Sequence, residues 1–164
     1  MIQFFLGLSL LLGQSGTFKI IGVGMKTESA EFLLPPTFTS FSLGEPVTMT
    51  NFDGDYVHGG ILPPNGVEIT ISTWKKEGTL RDLMLSDMRN KVFTETTIYL
   101  SDLSGTKVVT VENSPQIQQK TTIVYAEGKK VFYKIFLIYH TYNREAEAYE
   151  AFFKGFLLSI KLLK

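Results

Sequence analysis

Apolar and polar residues alternate through "GVEITISTW". Val67, Ile69 and Ile71 share one parity, and Glu68, Thr70 and Ser72 the other. A period of two predicts a β-strand with one buried face and one wetter face. "TFKIIGVGM", residues 17–25, is rich in β-branched and aromatic residues and also reads as a strand. "AEFLLPPTF" reads as extended chain stopped by Pro35 and Pro36. "TSFSLGEPVTMTNF" is extended but broken at Gly44 and Pro46, which assigns it to a sheet edge or a loop. "TTIYL" and "TKVVTV" read as strands separated by "SDLSG". "KTTIVYA" and "KVFYKIFLIYHTY" read as a hairpin around "EGKK", with Gly128 at a positive φ. Residues 131–139 are apolar on both parities, so this strand is expected at the centre of the sheet, covered on both faces.

Two segments change to a helical period. In "TLRDLMLSDMRNKVF", residues 79–93, Leu80, Leu83, Met84, Met88 and Val92 fall on one stripe. Thr79 and Asp82 have the spacing of a capping box. In "NREAEAYEAFFKGFLLSIKLLK" the stripe is Tyr149, Phe152, Phe153, Phe156 and Leu157. Glu145, Glu147 and Glu150 lie in its first turns, where the helix dipole favours negative charge. Glu150 and Lys154 form an i,i+4 pair. Strands, a helix, more strands and a closing helix predict an α+β domain, a twisted and largely antiparallel β-sheet flanked by helices.

The apolar run Ile2–Leu12 is shorter than the roughly 20 residues a membrane span needs. It has the length of a signal-peptide centre, with Gly13 and Ser15 as the small residues before a cut near Gly16. Residues 1–15 are therefore expected to be a signal peptide and residues 16–164 a single domain, exported to a periplasm or secreted. If the run is not cleaved, it tethers the domain to a membrane instead. No other integral membrane segment is expected.

Composition narrows the chemistry. The 164 residues suit one domain that needs no staples. Lys and Arg number 16, as do Asp and Glu, and no basic patch shows, which speaks against a nucleic-acid partner. The absence of cysteine excludes disulfides, thiolate metal sites and cysteine nucleophiles. No G-x-S-x-G elbow occurs.

"NFDGDYVHGGILPPNG", residues 51–66, concentrates the remaining polar and turn chemistry. Asn51, Asp53 and Asp55 match the first three ligand positions of a calcium loop. The match then fails, because Tyr56 stands where the loop needs Gly and Leu62 where it needs a bidentate Glu. Asp53–Gly54 and Asn65–Gly66 are turn dipeptides, and Pro63 and Pro64 cannot donate to a ladder. The segment is expected to be an exposed connection into the next strand, with no metal and no cofactor. His58 and His140, the two histidines, could bind zinc with Asp53 or Asp55 only if the fold brings them together. Trp74 closes its strand as a core-edge residue or, if exposed, an interface residue. The binding candidates are thus Asp53, Asp55, His58, Trp74 and His140, with no catalytic residue assigned.

The order of elements resembles the PsbP/Mog1-like superfamily. The matching stretches are the extended segment ending at Pro35–Pro36, "GVEITIS" leading to "TLRDLMLSDM", the hairpin "TIVYAEGKKVFYKIFLIY" and the closing "AYEAFFKGFLLSIKL". Ser159, Ile160 and Lys161 match the final Ser-x-Lys-type segment of that family. The resemblance implies an αβα sandwich that binds or assembles other proteins and has no common catalytic residues. The expected function is therefore a non-catalytic, extracytoplasmic binding or assembly module acting on a protein partner. The alternatives are a metal-assisted hydrolase using residues 53–58 and a carrier of a small apolar ligand.

Overall fold

The computed structural model describes residues 22–56, 60–100, 103–114 and 117–164. The expected signal peptide, residues 17–21 of the first expected strand, His58, Gly59, and Ser101 and Asp102 of "SDLSG" lie outside the described residues. Among the described residues, ten strands and two helices follow in the order β1 (Val23–Lys26), β2 (Ala30–Leu34), β3 (Ser40–Ser42), β4 (Val47–Thr50), β5 (Val67–Lys75), α1 (Leu80–Asp87), β6 (Phe93–Leu100), β7 (Leu103–Asn113), β8 (Gln118–Glu127), β9 (Val131–His140), α2 (Ala146–Ser159) and β10 (Lys161–Leu162). Seven strands form an antiparallel sheet in the order β3-β4-β5-β9-β8-β7-β6, and β1-β2-β10 form a small second sheet. The fold is α+β, as the strand and helix periods predict. Among the described residues, no helix is long and apolar enough to cross a membrane.

β9 lies between β5 and β8, the central place that its two apolar parities require. One parity, Tyr133, Ile135, Leu137 and Tyr139, joins Val67, Ile69 and Ile71 of β5 in the main core. Tyr149, Phe153, Phe156 and Leu157 of α2 and Phe32 and Leu34 of β2 close that core. Phe152, expected in the stripe, stays partly exposed at its margin. On the other face, Met84 and Met88 pack on Val108, Ile123 and Tyr125, with Phe136 against them. The two helices therefore cover opposite faces of the main sheet.

Several expectations need correction. The first helix ends at Asp87, not at residue 93. Asn90 takes a left-handed φ of 65°, which turns the chain out of the helix and leaves Val92 91% exposed. The Thr79 cap is present: its hydroxyl accepts from the Asp82 N–H at 3.1 Å, and Asp82 accepts from the Thr79 N–H at 3.0 Å. The segment expected at an edge or in a loop forms both β3, which is an edge strand of the main sheet as expected, and β4, which lies inside it between β3 and β5 with all four residues buried. Gly128 is not in the left-handed region. Glycine is needed there because a Cβ would meet the Lys164 carbonyl oxygen at 2.3 Å and the Tyr133 ring at 2.5 Å. The "SDLSG" separation is shorter than expected, since Leu100 already pairs with Leu103.

Glu150 does not pair with Lys154. It turns inward, where its Oε1 accepts from Lys120 Nζ at 2.7 Å and from the Tyr139 hydroxyl at 2.9 Å. Burial pushes this carboxyl up. The Lys120 and Tyr139 hydrogen bonds and the Lys120 and Lys107 charges outweigh burial and hold it below its ordinary value. The pair fastens α2 to β8 and β9.

Candidate functional site

The loop between β4 and β5 is held at both ends by its own turn chemistry. Asn51 Oδ1 accepts from the Val67 N–H at 2.8 Å, and its Nδ2 donates to Asn65 O at 2.9 Å. Gly66 N–H donates to Pro63 O at 2.8 Å, and Asn65 takes a φ of 60°, so "PPNG" is a tight turn. At the other end the Thr50 hydroxyl lies 2.6 Å from Phe52 O and 3.0 Å from Gly54 O. Gly60 passes so near Asp55 that a Cβ would stand 1.7 Å from the Asp55 carbonyl oxygen.

The segment is a connection, but not a freely exposed one. Leu62 is buried, and the Tyr56 hydroxyl reaches Gln119 Oε1 of β8 at 3.3 Å. The main attachment is Glu68 on β5. Its side chain is 0% exposed, although strand alternation predicted a wetter position. Glu68 Oε2 accepts from the Tyr56 N–H at 2.5 Å, and Oε1 accepts from the Thr70 hydroxyl at 3.0 Å. A buried carboxylate persists where donors of this kind replace water.

The fold brings His140 to this loop. Its Nε2 lies 2.8 Å from Leu62 O, its Nδ1 3.2 Å from Gln118 O, and its ring stacks on Tyr142 with centroids 4.9 Å apart. Both ring nitrogens thus face backbone carbonyls rather than an open site, so His140 fastens the loop across the end of β8 and β9. Asp53 is exposed, and Asp55 is half-buried and engaged. Among the described residues, no three His, Cys, Asp or Glu side chains are grouped to hold a metal ion.

Trp74 belongs to a different place. It lies six residues beyond Glu68 on β5, about 20 Å away at roughly 3.3 Å per residue. The indole is 45% exposed. Lys134 Nζ sits 4.5 Å from its ring centroid and 2.8 Å from Asp87 Oδ2 of α1. Asp87 Oδ2 also accepts from the Tyr125 hydroxyl at 3.0 Å. Burial, and then the Asp87 charge, push the Tyr125 hydroxyl far up, so it stays protonated and keeps donating. The chain Tyr125–Asp87–Lys134 holds a cation against the indole and fixes its orientation. Leu85, on α1, is also exposed.

Sequence reasoning singled out Trp74 and His140 and read Asp87 as part of a solvated helix face; it passed over Glu68, Lys134 and Tyr125. Only one signal pointed to Glu68: it shares a sheet face with Thr48, Thr50 and Thr70, all of them buried. That alignment depends on the register of β4 against β5.

No protein-family model matches the chain, and no curated protein matches it. Among solved structures, the chain is similar in fold to a Bacteroides thetaiotaomicron VPI-5482 protein crystallised at 1.50 Å resolution, with a TM-score of 0.53 and 9% sequence identity. The likeness covers 82% of this chain and 45% of that one, so this chain spans less than half the length of that neighbour. At this identity the likeness concerns the fold alone.

Proposed function

We propose that the protein is a non-catalytic, exported binding or assembly module that engages a protein partner through the surface around Trp74. The observation that carries this reading is the half-exposed indole braced by Lys134, Asp87 and Tyr125. A large aromatic side chain fixed before binding loses little conformational freedom when a partner covers it, which is what an interface anchor requires. The apolar run at residues 2–12 supports export, and the resemblance of the element order to PsbP/Mog1-like proteins supports a binding role.

Trp74 is the chain's one tryptophan, so its fluorescence reports on this surface alone. A partner isolated by crosslinking from the extracytoplasmic fraction should shift the indole emission to the blue on titration. Trp74→Ala should weaken that partner's affinity about 30-fold, the size of an interface hot spot. Unchanged emission and unchanged affinity would remove the proposal.

A further inference from the structure

The two edges of the main sheet differ in build. β3 has three residues, whereas β6 has eight and pairs with β7 along its whole length. Among the described residues, no strand pairs with the outer side of β6. Alternate residues there turn their N–H and C=O groups outward, a row of unpaired donors and acceptors.

Sheet proteins guard such edges with lysine, proline, bulges or short length. β6, "FTETTIYL", has none of these. Its pairing with β7 runs one to one from Phe93 against Thr110 to Leu100 against Leu103, with no bulge. Its one charge, Glu95, is neutralised by a salt bridge to Arg81 on α1. Tyr99 is 81% exposed, and Thr94, Thr96 and Thr97 are exposed as well. The edge is long, regular and without net charge, so a second β6 can approach it without repulsion.

We infer that β6 pairs antiparallel with β6 of a second copy of this chain, about a two-fold axis through Thr96, joining two seven-stranded sheets into one. Directly opposed residues must point to the same face, so the axis passes through a residue and not between two. An axis at Glu95 would oppose two carboxylates. An axis at Thr97 would set Glu95 against Tyr99. The axis at Thr96 sets Phe93 against Tyr99, Thr94 against Ile98, Glu95 against Thr97 and Thr96 against itself. That register places the exposed Tyr99 ring on an aromatic partner at both ends and opposes no like charges.

This surface is independent of the Trp74 surface. β6 lies four strands from β5, about 19 Å at roughly 4.8 Å per strand. Eight residues a side is a small contact compared with the roughly 20–30 a side of a standard interface, so the dimer forms at micromolar and higher concentration.

Sedimentation velocity tests the pairing on the protein recovered from its host, over about 1 µM to 1 mM, a range that brackets a contact of this size. The parent should pass from monomer to dimer across this series. Thr96→Lys and Thr96→Glu should each raise the dimer dissociation constant about tenfold or more, because each sets like charges opposite one another at the axis. An equimolar mixture of the two should dimerise again, Lys against Glu. Amide hydrogen exchange of the parent should show β6 gaining protection with concentration. A parent that stays monomeric, variants that dimerise like the parent, a mixture that does not recover, or β6 exchange independent of concentration would each overturn the inference. Circular dichroism distinguishes a folded monomeric variant from an unfolded one. If a variant unfolds, the exchange measurement on the parent decides alone.

Discussion

The face of the main sheet under α2 and the face under α1 are closed by different physics. Under α2 the closure is mostly hydrocarbon, with the Glu150–Lys120–Tyr139 contact as a charged fastening. Side chains of β4, β5, β8 and β9 meet Tyr149, Phe153, Phe156 and Leu157, and Phe32 packs edge-on against Phe156 with centroids 5.4 Å apart. The opposite face is divided. At one end α1 contributes Met84 and Met88 to a smaller apolar cluster. At the other, the β4–β5 loop is fastened through Glu68, Tyr56 and His140, which are polar groups satisfied by one another or by the backbone. Hydrophobic closure depends on area and tolerates small shifts. Polar closure depends on partners being present at the right distance, and loss of one leaves the other buried and unpaired.

The largest effect should come from the hydrocarbon side. Phe156→Ala removes a fully buried ring and should cost about 4 kcal/mol. Urea denaturation should show this as a lower midpoint at unchanged slope, and a loss below about 1 kcal/mol would place Phe156 outside the core.

On the polar side, Glu68→Ala leaves the Tyr56 N–H and the Thr70 hydroxyl without their acceptor. It should cost about 2–3 kcal/mol, less than the ring. The difference sharpens in where the loss appears. Amide exchange should accelerate in the loop around Asn51–Tyr56 well before it does in β9. Uniform acceleration would mean that the loop is not separately fastened and that the contrast between the faces fails.

The smallest effect is one of pH. Glu150 is held below its ordinary pKa by Lys120 and Tyr139 against the opposing push of burial. A depressed folded pKa contributes stability that is present above the unfolded value and is lost as pH falls through the folded one. Thermal stability should therefore decline through and below the ordinary carboxylate range. Glu150→Gln should flatten part of that decline while lowering stability at neutral pH. An identical acid profile in the variant would show that the carboxylate does not fasten α2.

The sequence alone determined several features that depend on near neighbours in the chain. The period of two in Val67–Ile71 and the doubled apolar parity of residues 131–139 placed β5 and β9, because a strand facing a core repeats every second residue. The Thr79–Asp82 box and the "PPNG" turn were legible because their hydrogen bonds span three residues. The tertiary structure alone decided that Glu68 is buried, since its donor Tyr56 comes from a loop folded back over the sheet. It also joined Lys134 of β9 to Asp87 of α1 over Trp74 of β5, and turned Glu150 from Lys154 to Lys120. A polar residue has no preferred depth of its own. Its depth is set by where its partner lies, and for these residues the partner is distant in the chain and is brought near only by sheet register and helix docking.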